Sequence, residues 1–167
     1  MNKDQQCLLC GDEKKIEHHL CPDCFGKTAP DDFTLQKLHI LREKILLKAL
    51  TRKGLKCEWQ KPVPYEKTEY VYVDCMNGNV EITYEQCKHI DIAIDSYKLY
   101  IEIQGKHHQE DGKQRRSDMW RNYYANKEGY LPLHIPNNVF VSKKIFDDTV
   151  HEIIEIAKCR KKDLERA

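Results

Sequence analysis

The chain has 167 residues, of which 40% are hydrophobic and 33% are charged, with 7 Gly and 6 Pro. This composition excludes a disordered or low-complexity protein and fits one domain with a core, or one domain plus a small module. The formal net charge of +1 excludes a uniformly basic, histone-like protein, so any surface for nucleic acid must be local. Basic clusters occur at 48–56, 113–116 and 158–162, although such runs are usually solvated helix faces.

No stretch approaches the roughly 18 consecutive apolar residues of a membrane span, and the polar N-terminus lacks the apolar segment of a secretory signal. We therefore expect a cytoplasmic protein with no membrane partner. In that reducing compartment, the 8 cysteines are expected to bind metal or to remain thiols rather than to form disulfides.

Two CxxC pairs lie near the N-terminus, in the segment CLLCGDEKKIEHHLCPDC at residues 7–24. A CxxC turn directs two thiolates toward one metal ion, and two such turns supply the tetrahedral sulfur set that Zn²⁺ prefers. Redox-active pairs are the alternative, but these pairs lack the neighbouring strand and helix of a thioredoxin-like site. We predict a zinc module in residues 1–30, ahead of a second domain in residues 31–167. Its expected ligands are Cys7, Cys10, Cys21 and Cys24.

Four thiolates fill the coordination shell of a zinc ion, which makes this site structural rather than catalytic. His18 and His19 lie between the two pairs and could each replace a cysteine, but we expect them to be exposed or to support the ligands from outside. The other four cysteines have no ligand spacing and are interpreted as buried or incidental thiols. They are Cys57, Cys75, Cys87 and Cys159.

A helix is predicted after residue 31, capped by Asp31 or Asp32 and ended by Gly54. Its apolar residues recur at helical spacing and are Leu35, Leu38, Leu41, Ile45 and Ala49. From residue 55 to 104 the pattern changes to strands. EYVYVDC and VEITYEQC flank an Asn77-Gly78 turn suited to a type I′ hairpin. Two further strands, HIDIAID and KLYIEIQ, are expected to follow.

Helical character returns at residues 111–128 and stops at Gly129. We expect the aromatic residues Trp120, Tyr123 and Tyr124 of this helix to pack in the core. A strand, YLPLHIP, and a closing helix from Ser142 to about Glu165 complete the chain. This order predicts an α/β (α+β) fold in which helices flank a mixed sheet.

Two carboxylates stand on the middle strands, Asp91 in HIDIAID and Glu102 in LYIEIQ. Carboxylates on adjacent strands of a hairpin can meet at one sheet edge and bind a hard cation such as Mg²⁺ or Mn²⁺ beside a scissile phosphate. The alternative is that both are ordinary solvent-facing strand residues. The segment Gly105–His108 then leaves the strand end, where a histidine can transfer protons near neutral pH.

With these residues in view, the chain resembles the very-short-patch repair endonuclease branch of the PD-(D/E)xK superfamily, which includes phage homing endonucleases with an EDxHD motif. The resemblance covers roughly residues 38–136 without the hairpin around Asn77, and it rests on Asp91, on IEIQGKHH and on SDMWRNYYANKEGYLPLHI. The upstream segment LREKILLKALTRKGLKCEWQKPV also fits the first helix of the family, with a glutamate before a Gly turn and a strand containing Gln.

The resemblance implies a restriction-endonuclease-like fold and a role for each matching residue. The implied catalytic residues are Glu43, Asp91, Glu102, Gln104, His108 and Asp118, with Mg²⁺ held by Asp91 and Glu102. His108 is favoured over His107 because the GxxH spacing of the family selects it. The basic residues expected to contact nucleic acid are Lys106, Arg115, Arg116 and Arg121.

Two positions depart from the family pattern. Gln104 replaces an acid, and Lys106 lies four residues after Glu102 rather than two, so it cannot be equated with the superfamily lysine. Non-catalytic interpretations are also open for two of the matching sites. Glu43 could be a solvent-facing glutamate paired with a lysine, and Asp118 and Arg121 could form an ion pair on the helix surface.

The sequence therefore predicts a metal-dependent DNA endonuclease of homing or nicking type, with catalytic Mg²⁺ or Mn²⁺ and structural Zn²⁺. DNA is the expected partner, and a second copy of the chain is the other candidate partner. Two alternatives stay open: a nuclease-fold protein that binds DNA without cleaving it, and a subunit that the zinc module recruits to a larger DNA-processing machine.

Overall fold

The structure of the protein is a computed structural model that describes residues 6–12, 18–73, 78–104 and 112–166, with side chains throughout except at residues 36, 64–88 and 112–118. Its helices and strands are, in chain order, α1 Pro22–Gly26, α2 Leu38–Arg52, β1 Glu58–Val73, β2 Gly78–Ile94, β3 Leu99–Gln104, α3 Gly112–Lys127, β4 Leu131–Pro136 and α4 Lys143–Arg166. The mixed α/β class with helices flanking the sheet is confirmed. No described helix is both long and apolar enough to cross a membrane.

The four strands form one sheet in the order β1-β2-β3-β4, in which the last pair is parallel and the others are antiparallel. The predicted hairpin strands are present, while residues 74–77, including Asn77, lie outside the described residues. The prediction of separate strands VEITYEQC and HIDIAID is wrong, since β2 runs through both without a break. Because β2 pairs with β3 at Ile92–Ile94, most of its length extends with β1 as a two-stranded ribbon.

The two faces of the sheet are covered by different helices. One face carries Ile92 and Ile101, which belong to the larger core cluster together with apolar residues of α2 and α4. The other face carries Ala93 and Tyr100, which pack with Ala125 of α3 in a second cluster. Side chains alternate between the faces of a strand, so these neighbouring residues serve two cores.

The long helix α2 begins later than the sequence suggested. Leu35 is 69% exposed and lies in a short 3-10 turn ahead of the helix. Asp32 does not cap the helix but forms an ion pair with Lys37, which is itself the residue preceding the first helical turn. The predicted end is confirmed, because Gly54 follows the helix with a φ of 89°, a conformation that favours glycine.

Helices α3 and α4 lie where the sequence placed them, and Gly129 ends the first of them with a φ of 81°. The prediction that the aromatic residues of α3 are packed in the core is wrong for Trp120 and Tyr123, whereas Tyr124 packs against the second cluster. Trp120 and Tyr123 are each 56% exposed, while Tyr124 is half-buried. The smaller Ala125 faces the sheet instead, and the three aromatic rings pack mainly against one another, with the Trp120 and Tyr124 centroids 5.9 Å apart.

The N-terminal cysteine segment is part of the larger core. Cys7, Leu8 and Leu20 are buried in the same cluster as Phe140 and Phe146, which lie before and within α4. Folding of this segment is therefore coupled to the packing of α4.

Candidate metal centre and carboxylate cluster

The four cysteines of the two CxxC pairs converge on one point. Their sulfur atoms all lie within 4.8 Å of one another, and the Sγ atoms of Cys10 and Cys21 are 3.6 Å apart. A tetrahedral zinc ion with Zn–S bonds of about 2.3 Å holds its sulfurs about 3.8 Å apart. The arrangement therefore suits a metal ion such as zinc, as the spacing predicted.

Local backbone geometry brings the two pairs together. Gly11 has a φ of 79°, and its N–H donates to the Cys7 carbonyl at 2.8 Å, which closes the first turn. In the second pair, Pro22 starts the short helix α1, and the N–H of Phe25 donates to the Cys21 carbonyl at 2.8 Å. The N–H of Leu8 bonds to the carbonyl of His19 and holds the two turns side by side.

The thiols at this site differ in how readily they ionise. Burial opposes ionisation of Cys7, but hydrogen bonds from the backbone of Cys21, Cys10 and Leu9 lower its pKa to about 7. Burial and the neighbouring thiols raise the pKa of Cys24. A thiolate at Cys7 near neutral pH is an available first ligand, whereas Cys24 needs the charge of a metal ion to lose its proton.

No histidine joins the four cysteines in the described part of the chain. The ring of His18 packs near Phe25 and Phe33, while His19 faces Phe140. Burial, with the positive charge of Arg42, lowers the pKa of His19 to about 4. The two histidine rings therefore pack near aromatic side chains.

The other cysteines fit the prediction of incidental thiols as far as they are described. Cys57 is half-buried, and burial raises its pKa to about 11. Cys159 is exposed on α4. Cys75 and the side chain of Cys87 lie outside the described residues.

Asp91 and Glu102 lie on neighbouring strands. The ladder between the two strands ends at the pair of Ile92 and Ile101, and Asp91 and Glu102 are the next residues along each strand. The N–H of Ile103 donates to Asp91 Oδ2 at 2.8 Å. This hydrogen bond holds the Asp91 carboxylate against the backbone of β3.

Glu43 is 4% exposed, so the interpretation of a solvent-facing glutamate paired with a lysine is wrong. Its Oε2 accepts hydrogen bonds from Trp59 Nε1 at 2.8 Å and from Gln60 Nε2 at 2.7 Å. Burial first, and the charge of Asp91 second, raise the pKa of Glu43. Glu43 and Asp91 therefore form an electrostatically coupled pair of carboxyl groups.

The two residues that donate to Glu43 lie in an irregular part of β1. Gln60 has a φ of 52°, which is uncommon for a residue with a side chain. The ladder between β1 and β2 pairs Trp59 with Ile92 and Lys61 with Ile90 on either side of it. Gln60 is the glutamine that the family resemblance expected in this strand, whereas Trp59 was not predicted because only the fold brings it to Glu43.

Glu102 is 8% exposed and forms a buried ion pair with Arg121 of α3. The interpretation of Glu102 as an ordinary solvent-facing residue is therefore wrong, whereas Asp91 is half-buried. Across the parallel ladder, Glu102 is paired with His134 of β4, an exposed residue that no sequence motif singled out. Gln104 is exposed at the end of β3.

The structure couples Glu43 with Asp91 and pairs Glu102 with Arg121 of α3, and the three acidic residues are named the carboxylate cluster. Their carboxylates are less compact than the cysteine site, since no group of three acidic ligands within 4.8 Å occurs among the described residues. Lys106, His107 and His108 lie outside the described residues. Arg115, Arg116 and Asp118 belong to α3, but their side chains are not described.

No family model matches the chain, and the same holds for the curated proteins and the solved structures. The resemblance to the PD-(D/E)xK superfamily accordingly stays a prediction from the residues quoted above.

Proposed function

We propose that the protein is a metal-dependent DNA endonuclease that hydrolyses phosphodiester bonds. The observation that carries the proposal is the buried Glu43, whose carboxyl group is electrostatically coupled to that of Asp91. Glu102 lies on the neighbouring strand, just beyond the last pair of the ladder between β2 and β3. Keeping ionisable groups buried together costs folding free energy, and such groups cluster at functional sites.

The oxygen donors of this cluster fit a hard divalent cation, because Asp91 and Glu102 both offer carboxylates and Gln104 offers an amide oxygen. Bound there, Mg²⁺ or Mn²⁺ would activate water and polarise the phosphate. The protein supports this chemistry by orientation: Trp59 and Gln60 fix Glu43, while the N–H of Ile103 fixes Asp91.

Arg121 has a different role in this proposal from the one the sequence suggested. Its guanidinium holds Glu102 in a position buried from solvent, where it offsets the negative charge of the cluster. His108 remains the proposed proton donor or acceptor. Asp118, Lys106, Arg115 and Arg116 keep their proposed roles around the phosphate.

Plasmid cleavage with purified protein tests the proposal. The parent protein should nick or cut supercoiled plasmid in Mg²⁺ or Mn²⁺, and Asp91→Ala should abolish cleavage. Asp148→Ala, which removes an exposed acid of α4, is the matched control and should cut as the parent does. Continued cleavage by the folded Asp91→Ala variant would contradict the proposal.

A DNA-binding protein without cleavage activity is the second candidate. Two features favour it: Arg121 already neutralises Glu102, and Gln104 stands where the family has an acid. Titration calorimetry separates the candidates, because this one expects DNA binding without uptake of Mg²⁺ or Mn²⁺.

A further inference from the structure

A stripe of positive charge runs along one side of α2. Lys44, Lys48 and Arg52 are spaced by four residues, which places them on one face of the helix. Lys44 and Lys48 are half-buried, whereas Arg52 and the adjacent Lys53 are exposed. These four residues are called the α2 basic stripe.

The charge of α2 is segregated from the rest of the chain. Residues 37–53 contain six basic residues and one acid, a formal charge of +5, whereas the whole chain carries +1. The remainder therefore carries −4. The one acid is Glu43, which is buried away from the stripe and bonded to Trp59 and Gln60. The stripe thus has no acidic neighbour on its own helix to neutralise it.

One end of the stripe reaches the carboxylate cluster. Lys44 Nζ lies 5.2 Å from the centroid of the Trp59 ring, and the indole N–H of the same Trp59 donates to Glu43. Trp59 is 40% exposed, so this junction faces solvent. A strand of nucleic acid lying on Lys44 would therefore pass beside the carboxylates.

The other end of the stripe reaches the N-terminal segment that carries the four cysteines, residues 6–12 and 18–30, which is called the cysteine module. Arg52 donates to the Leu9 carbonyl at 3.0 Å, and Lys48 bonds to the Lys27 carbonyl and to Thr28 Oγ1. Burial first, and then the positive charges of Arg52, Lys44 and Lys27, lower the pKa of Lys48. These contacts hold the cations in place before any ligand binds, which reduces the entropy lost on binding.

A groove of about 550 Å³ extends the stripe between the cysteine module and α4. Arg52 and Lys53 line one wall, and Lys143 and His151 of α4 line the other. The acid in its lining, Asp147, is already paired with Lys143. The rest of the lining is mainly apolar, so Arg52 and Lys53 form the positive edge of the groove beside the end of α2.

We propose that the α2 basic stripe and this groove form a track for the phosphate backbone of DNA, leading from the carboxylate cluster to the cysteine module. The track deepens the proposed function and rests on it in taking DNA as the polyanion. Eight residues from Lys44 to Arg52 rise about 12 Å, which matches the rise of roughly three to four nucleotides at 3.4 Å each. A regular row of cations suits a repeating phosphate chain better than the irregular charges of an acidic protein.

Fluorescence anisotropy with a labelled duplex of about 20 base pairs tests the track, in Ca²⁺ so that binding is measured without cleavage. The test variant is Lys44→Gln/Arg52→Gln/Lys53→Gln. It should bind at least tenfold more weakly than the parent at about 100 mM salt, and the slope of log affinity against log salt should fall by about 2 to 3. The full chain with its zinc is used throughout.

The matched control is Lys158→Gln/Lys161→Gln/Lys162→Gln, which removes the same charge from exposed positions at the far end of α4. It should bind as the parent does. An equal loss of affinity in both variants would show that binding depends on net charge alone and would overturn the track. Unchanged binding by the stripe variant would also overturn it, as would a folded parent that binds no duplex, which would point to an acidic protein as the occupant. If the triple variant is unfolded by circular dichroism, Lys44→Gln and Lys53→Gln are compared singly, each with an expected slope change of about 0.9.

The two proposals fail separately. If the parent binds DNA without cleaving it, the endonuclease proposal is contradicted and the track proposal stands. If the stripe variant still cleaves DNA and binds it with unchanged affinity, the track proposal is contradicted.

Discussion

Glu43 shows how the environment of one residue changes its interpretation. In the sequence it is a helix glutamate followed by Lys44, a pattern that usually indicates a solvated ion pair. In the structure it is buried, bonded to an indole and an amide, and close to a second carboxylate. Neutral donors can orient a carboxylate without cancelling its charge, so Glu43 keeps an electrostatic cost that a cation could relieve.

That cost should make stability depend on pH. Because the pKa of Glu43 is raised in the folded state, the folded protein binds the proton more tightly than the unfolded chain does. Stability is therefore highest below the unfolded pKa of about 4.3 and falls as pH rises through the raised folded value. Glu43→Gln should remove this fall, so its melting temperature relative to the parent should increase by a few degrees between about pH 4 and 7.

Thermal unfolding followed by circular dichroism in divalent-free buffer measures the difference. Glu152→Gln, at an exposed position of α4, is the control and should follow the parent curve. Parallel curves for the parent and Glu43→Gln would contradict the raised pKa.

The buried pair of Glu102 and Arg121 gives a second prediction at the residue scale. Their side chains are 10% and 12% exposed, so removing one partner leaves the other charge buried without compensation. Arg121→Gln should lower the free energy of unfolding by about 3–5 kcal/mol. The double variant Glu102→Gln/Arg121→Gln should recover much of that loss.

Urea denaturation of the single and double variants measures this coupling. Arg121→Lys is the matched control, since it keeps the charge and loses only the planar guanidinium contact. Additive losses in the double variant would mean that the two side chains do not depend on each other.

At the scale of the elements, local patterns were predictable and long-range contacts were not. The cysteine spacing, the glycines that end α2 and α3, and the extended conformation of β3 are encoded by residues close in sequence. The partners of Glu43 are not, because Trp59 follows it by 16 residues and meets it only when β1 packs beside α2. The prediction for two of the aromatic residues of α3 failed for the same reason. The hydrophobic character of a residue does not determine which side of its helix packs against the sheet.

The continuous β2 strand has a similar explanation. VEITYEQC and HIDIAID were predicted as separate strands, but in an antiparallel ribbon the ladder with β1 continues through polar residues, pairing Tyr65 with Gln86 and Val63 with Lys88. Backbone pairing does not require an apolar side chain at every position.

The position of the cysteine module in the main core predicts what removal of a metal ion bound to the four cysteines would do. Cys7, Leu8 and Leu20 pack with Phe140 and Phe146, so loss of the module should loosen the packing of α4 as well. A strong zinc chelator should lower the melting temperature of the whole protein, by ten degrees or more, and restored zinc should reverse the change.

Differential scanning calorimetry with a metal assay measures this effect. Cys21→Ser should reproduce it without chelator, whereas Cys159→Ser, at an exposed thiol outside the site, should not. A module that melts separately while the main transition stays in place would contradict the shared core.

At the scale of the whole molecule, the charges are distributed unevenly although they nearly cancel. Positive charge is concentrated on α2, and the carboxylate cluster lies beside one end of it at Trp59. A polyanion drawn to the positive side would therefore approach an acidic cluster, and such an approach is repulsive unless a cation neutralises the cluster first. Divalent cation binding and DNA binding are accordingly expected to favour each other.

This coupling gives a prediction for the folded protein without DNA. A ligand that binds only the folded state stabilises it by about 2.7 kcal/mol at a concentration 100 times its Kd. Mg²⁺ or Mn²⁺ should therefore raise the melting temperature of the parent, and the rise should be larger at pH 8 than at pH 5, because the cation competes with the proton held by Glu43. Asp91→Ala should lose the rise at both pH values, whereas Asp148→Ala should keep it. Equal shifts in parent and Asp91→Ala would place any divalent cation elsewhere on the molecule, and the carboxylate cluster would then be a structural site held by Arg121.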